Sequence, residues 1–405
     1  MSEPVRPLPL HGAPPAPLSP PGSSFLAKGF RPFFLLAAGL AVLFVPAWAV
    51  MRTGAMSATG NLDSVSWHAH EMIFGFTVAV IAGFLLTAVG NWTQRETATG
   101  PALAGLCTLW LAGRVAMLSP LPSWLVAAID LAFLAALGVT LARPIVATNN
   151  RRNFVVVAVV AVLWLANGAI HADALGVWPG VRSQAALAAI DVVTLLMVLI
   201  GGRVIPMFTR NATGDQAIRN LPRADLAAAG GVALVLLADV ALASVPAARA
   251  AAYALAAILV AARAVHWGAR ASLSNPLLWI LHVGHAWIPI GLALRAAAAL
   301  DPRVSATAGL HALTAGAIGA LTLGMMARVS LGHTGRMLAA PNTVAGAFAA
   351  MVLAAFVRVV GPLAAPSLYL PWVALSAALF AAAFLAYLVA YAPMLVGPRV
   401  DGKPG

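Results

Sequence analysis

Long apolar runs, separated by short polar breaks, make up almost the whole chain. Twelve runs lie near residues 30–50, 68–91, 101–118, 124–142, 153–171, 185–208, 225–244, 247–265, 276–297, 306–327, 341–361 and 369–393. Each is close to the ~20 residues that a helix needs to cross a bilayer core. Backbone polar groups in lipid must be satisfied within the segment, which makes a helix the spanning element. Several breaks are short, so most neighbours are expected to form antiparallel hairpins; the two halves of 225–265 are the least separated. The predicted fold is all-α, a polytopic integral membrane protein of about twelve transmembrane helices.

No break is long enough to hold a soluble domain. Residues 1–24, with Pro14-Pro15, Pro17 and Pro20-Pro21, read as a disordered tail rather than a cleaved signal peptide. Residues 25–395 then form one membrane domain, and 396–405 a short cytoplasmic tail.

Composition agrees with the pattern: of 405 residues 61% are hydrophobic and 9% charged, and the mean hydropathy is +0.92. The net charge of +12 reads as orientation in such a chain, not as a nucleic-acid footprint. With the N terminus inside, the inner breaks hold about sixteen Lys and Arg, including Arg151, Arg152, Arg210, Arg219, Arg223 and Arg270. The opposite breaks hold about six, among them Arg52, Arg114 and Arg182. Both termini are therefore expected to be cytoplasmic. Cys107 is the single cysteine, which excludes disulfides, thiolate clusters and Cys-x-x-Cys-His haem attachment. Any haem must be non-covalent and held by histidine.

The chemistry concentrates at Trp67-His68-Ala69-His70-Glu71-Met72, which opens the second run. Ionisable groups are expensive inside a membrane and mark function by default. At ~100° per residue His68 and His70 point about 200° apart, toward different neighbours. His68 and Glu71 are three residues apart and are expected to share a face. Glu71 is a candidate to fix an imidazole tautomer or relay protons; its bland role is a carboxylate at a helix N-terminus.

A spacing recurs. His70, Gly75, Gly83 and Thr93 are spaced like His311, Gly316, Gly324 and Thr334. Arg203-Val204 stands before Thr209 as Arg328-Val329 stands before Thr334. Runs 2, 6 and 10 are thus candidates for equivalent helices in three units of four. With histidines on runs 2 and 10, that plan is similar to the haem-copper oxidase catalytic subunit, at the level of fold. The chain departs from the oxidases: its close histidine pair is on run 2, and run 6 lacks a histidine. An oxygen reductase is not expected.

Further blocks complete a pattern: Lys28-Gly29-Phe30-Arg31-Pro32-Phe33-Phe34, Gly83 through Val89, Asn91-Trp92-Thr93, Gly201 through Thr209, His311-Ala312-Leu313-Thr314, and Met325 through Arg336. In this order, with the Trp67–Met72 block, they resemble the NnrS family over nearly the whole membrane domain. The resemblance implies a haem- and copper-containing membrane protein of the bacterial inner membrane, associated with denitrification and the nitric oxide response.

Neutral imidazole is a good ligand for haem iron and for copper. His68, His70 and His311 are the leading candidates. His70 with His311 is the first choice for a bis-histidine haem b, with His68 turned to a second centre and Glu71 beside it. His282 and His285 share a face and are further haem or metal candidates; their alternative is hydrogen bonding to carbonyls or threonines. Arg203 and Arg328 are candidate cofactor contacts, and Arg52, Arg114 and Arg182 candidate propionate partners. Asp130, Asp191 and Asp239 are proton-path candidates or arginine partners. His171 is a weaker ligand candidate, His333 an anion or quinone contact or an interfacial residue, and His11 and His266 carry no assigned role.

The expected activity is reduction of nitric oxide to nitrous oxide at one or two haems, with electrons from quinol or another membrane donor. The alternatives are a non-catalytic nitric oxide binder that protects against nitrosative stress, a haem or copper handling factor, and, more remotely, a solute transporter.

Overall fold

The computed structural model describes residues 24–57 and 60–403, so the expected proline-rich tail lies outside the described residues except for Ser24. Among those residues there is no strand. Twelve helices are long and apolar enough to span a membrane: α1 Phe30–Arg52, α2 Ser64–Thr93, α3 Gly100–Met117, α4 Ser123–Ala147, α5 Arg151–Ala174, α6 Arg182–Thr213, α7 Pro222–Ala241, α8 Pro246–His266, α9 Pro276–Leu300, α10 Ala306–His333, α11 Asn342–Ala364 and α12 Pro366–Val396. The closely spaced pair α7 and α8 is two helices, broken at Leu242–Val245 by a turn ahead of Pro246.

Successive helices alternate in direction. At the end where α1 starts, Lys28 pairs with Glu96 at 2.6 Å and Arg31 Nη1 donates to the Leu395 carbonyl at 2.9 Å. We call this the terminal face. At the other end, the distal face, Arg182 pairs with Asp63 at 3.3 Å and with Asp173 at 2.6 Å. Packing runs along the chain and closes on itself, because α1 lies against both α2 and α12.

The inner helices are α2, α10 and α6, whose most apolar windows are 83%, 67% and 61% buried, against 39% for α3, α4, α7 and α8. Helix association in lipid has little hydrophobic drive and relies on close packing and polar contacts. Both are visible here. Gly291 of α9 and Gly309 of α10 cross so closely that a Cβ on Gly309 would lie 3.0 Å from the Gly291 carbonyl oxygen.

The correspondence between α2 and α10 reaches the backbone. A π-helical turn spans Glu71–Thr77 in α2, directly after His70, and Ala312–Ile318 in α10, directly after His311. Such turns widen a helix locally and leave its hydrogen-bond ladder strained, so they recur where function requires it. Each turn contains a glycine that admits a neighbour. A Cβ on Gly75 would meet Arg114 Nη1 at 2.9 Å, and one on Gly316 would meet the Trp287 ring at 2.6 Å.

Candidate functional site

The distal half of the bundle holds three groups of buried polar side chains. The first is built on α2 to α5. Asp63 caps α2 by accepting from the Val65 and Ser66 amides, which starts the helix one turn before its apolar run. His70 then follows, fully buried, with Glu71 beside it. His70 Nδ1 lies 3.0 Å from Glu71 Oε1, and Nε2 lies 2.9 Å from Asn167 Oδ1 and 3.2 Å from Asp130 Oδ2. Asn167 donates its amide to Asp130 at 2.7 Å, so its oxygen is left to accept. Both nitrogens of His70 therefore face acceptors, and the ring donates twice.

Arg114 of α3 closes this group. It donates to both Glu71 oxygens at 2.9 Å and to Asp130 Oδ1. The fifth helix adds His171, 3.0 Å from Asp130 Oδ2. Trp110 Nε1 donates to the Gly75 carbonyl at 3.1 Å, within the π turn. The proton on each side of His70 balances the carboxylate charge that one guanidinium leaves over. One ligand atom from each of His70, Asp130 and His171 lies within 4.8 Å of the others.

Where Glu71 was expected beside His68, it instead holds His70 and Arg114. The π turn begins at Glu71 and opens the helix there, and Arg114 draws the carboxylate toward α3. The expected face-sharing of His70 with His311 is likewise not what the structure builds. His70 looks toward α4 and α5, whereas His68 takes the opposite side of α2 and stacks on Trp48 of α1, centroids 3.9 Å apart. His68 and His311 lie within electrostatic range of one another, and both feel Arg358 of α11. His311 Nδ1 lies 2.7 Å from its own-turn Thr307 carbonyl, which makes it the protonated nitrogen and leaves Nε2 with a lone pair. His68 Nδ1 is buried without a hydrogen-bond partner.

The third distal group joins α6 to α9. Arg295 donates to Asp191 at 2.6 Å, to Asp239 and to the Tyr253 hydroxyl at 3.1 Å. Arg249 adds a contact to Asp239 at 2.8 Å. Asp191 and Asp239 are thus arginine partners, both of Arg295.

The remaining candidates lie toward the terminal face. His282 Nε2 meets Thr209 Oγ1 at 2.9 Å. His285 packs on Trp267 with ring centroids 4.6 Å apart. Arg328 lies over the Phe208 ring at 3.9 Å, and Arg203 is exposed. Neither of these arginines is brought to the distal histidines. The sequence shows Arg114, Asp130 and His171 only singly; their assembly, and the part of Asn167, depend on contacts between distant helices.

A polytopic helical membrane protein with buried histidine and arginine groups near one face is the class that fold and site define. The family model described as NnrS protein matches residues 24–399, and the chain belongs to that family. No curated protein matches the chain.

Proposed function

We propose that this membrane protein of the nitric oxide response holds haem b near its distal face through His68 and His311, and binds and reduces nitric oxide there. The observation that carries this reading is the state of the two imidazoles. His311 has its Nδ1 tied to a carbonyl and Nε2 uncommitted, and His68 offers a buried nitrogen without a partner. His70 is the poorer ligand because both its nitrogens are spent on acceptors. Arg358, buried and within electrostatic range of both rings, is suited to a haem carboxylate.

Haem supplies the binding of nitric oxide and the exchange of electrons with it. The chain's own residues orient the imidazoles, exclude water and hold protons. Reduction of two nitric oxide molecules to nitrous oxide and water consumes two electrons and two protons. We assign the holding of those protons to the His171–Asp130–His70–Glu71 chain on the opposite face of α2. Quinol or another membrane donor would supply the electrons. A copper ion at the converging atoms of His70, Asp130 and His171 would have to displace a proton from His70; metal content of His171→Ala tests it.

Spectra of dithionite-reduced protein, normalised to protein, test the site. His68→Ala and His311→Ala should each lose the same haem signal, the double variant little more, and His70→Ala should keep it. A signal lost in His70→Ala and kept in His68→Ala overturns the assignment. Anaerobic nitrous oxide formation then separates reduction from binding alone. The positive loops further support an inner-membrane protein with both termini cytoplasmic; a reporter after Gly405 that is active only in the periplasm would reverse the faces.

A further inference from the structure

Five buried polar atoms, on three side chains that meet at Trp267, lack hydrogen-bond partners among the described residues where α8 and α9 approach the terminal face. Arg263, Trp267 and His285 are 2%, 0% and 3% exposed. Arg263 Nε and Nη2, Trp267 Nε1 and both ring nitrogens of His285 make no hydrogen bond. Trp267 touches both of the others: the guanidinium carbon lies 4.9 Å from its ring centroid and the imidazole centroid 4.6 Å from it. The one ion pair of Arg263 is long, with Nη1 3.4 Å from Asp225 Oδ1. The Val260 carbonyl lies beside the His285 ring without closing a hydrogen bond of ordinary geometry.

The helix opposite is shaped for this cluster. A Cβ on Gly202 would lie 2.7 Å from Arg263 Nη1, so glycine there lets the guanidinium enter. At the adjacent Gly201 a Cβ would stand in ordinary contact, 3.9 Å from His285 Nδ1. Buried polar groups in folded proteins are almost always partnered, and each exception calls for an explanation. Arg and Trp can only donate, and the guanidinium carries a fixed positive charge. A metal ion at His285 would face that charge. A group with negative oxygens would instead satisfy the donors and the charge together.

We propose that Arg263, Trp267 and His285 form a buried receptor for the oxygens of one monoanion, a carboxylate or a small oxyanion. This does not depend on the haem assignment. The anion has two sources, free solute or the carboxylate arm of a second haem bound at this end of the bundle, apart from the one assigned to His68 and His311.

Formate is the probe, titrated at constant ionic strength held with bulky gluconate. The full-length protein is prepared in detergent both as purified and from cells starved of haem precursors. The readouts are the thermal midpoint and the part of tryptophan emission that Trp267→Phe removes. A saturable formate response in protein as purified supports a free-anion site. A response only in haem-starved protein supports a site filled by the cofactor's carboxylate. In either case Arg263→Gln should weaken formate about tenfold to a hundredfold, as loss of a charged hydrogen bond does. Arg263→Lys should weaken it less, and His285→Gln serves if the Arg263 variants fail to fold. No saturable response in either preparation, or a response undiminished in Arg263→Gln and in His285→Gln, overturns the proposal. So does stabilisation by a neutral short-chain quinone where formate has no effect.

Discussion

His68 and His70 leave one turn of α2 in opposite directions, one onto Trp48 of α1 and the other onto Asn167 of α5. The two sides of the helix are chemically unlike. His68 stacks on an indole, with a second imidazole and a guanidinium within electrostatic range. His70 sits between carboxylates and an amide that accept from it. One short segment thus gives an imidazole with an unpartnered nitrogen to one side and an imidazole that carries protons to the other.

The acidic side makes a stability prediction. Asp130 accepts from Arg114, Asn167, His70 and His171 at once. Asp130→Ala leaves a buried guanidinium and two imidazoles short of an acceptor, and breaking a buried ion pair on one side costs about 3–5 kcal/mol. Its thermal midpoint in detergent should fall well below that of His171→Phe, which removes a single hydrogen bond. Equal midpoints for the two would show that the network does not centre on Asp130.

The helices of this fold were legible in the sequence because lipid demands about twenty apolar residues per crossing. The expected 276–297, for example, is Pro276–Leu300 in the structure. The start of α2 was read four residues late, since Ser64, Val65 and Ser66 are stabilised by the Asp63 cap and not by hydrophobicity. The divergence of His68 and His70 was legible from helix geometry alone. Which neighbour each meets was not, because that depends on the rotation of α2 within the bundle. Long-range partners were hidden for the same reason. Arg295 joins Asp191 across 104 residues, and no local pattern in either run announces the other.

Close packing makes a second prediction. A Cβ on Gly309 would lie 2.9 Å from the Arg295 backbone nitrogen and 3.0 Å from the Gly291 carbonyl oxygen. Backbone cannot yield as a flexible side chain can, so Gly309→Ala must push α9 and α10 apart. Overpacking of this kind costs about 1–3 kcal/mol. Gly346 of α11 has nothing within 4 Å of its Cβ position; Gly346→Ala should be neutral or slightly stabilising, since alanine is the better helix former. Thermal unfolding of the pair checks this, and a Gly309→Ala midpoint at or above that of Gly346→Ala would refute the crossing.

An apolar cavity of about 100 Å³ lies among the inner helices, lined by residues that include Phe84, Val193, Ile200, Val204, Leu321 and Met325. Apolar cavities stay dry and take up apolar atoms such as xenon. The space admits small neutral molecules. Xenon should therefore bind saturably, read as a shifted xenon magnetic resonance signal. Val204→Phe, which fills the cavity from α6, should abolish that binding. Nitric oxide is also small and neutral, and would partition into the same space on its way through the bundle. In the haem-bearing protein the variant should slow nitric oxide binding by stopped flow and leave the reduced haem spectrum unchanged, because His68 and His311 lie at the distal ends of α2 and α10, beyond the residues that line the cavity. An unchanged rate with xenon binding abolished would separate the cavity from the path of the gas. A changed spectrum would mean that the cavity and the imidazoles are one site.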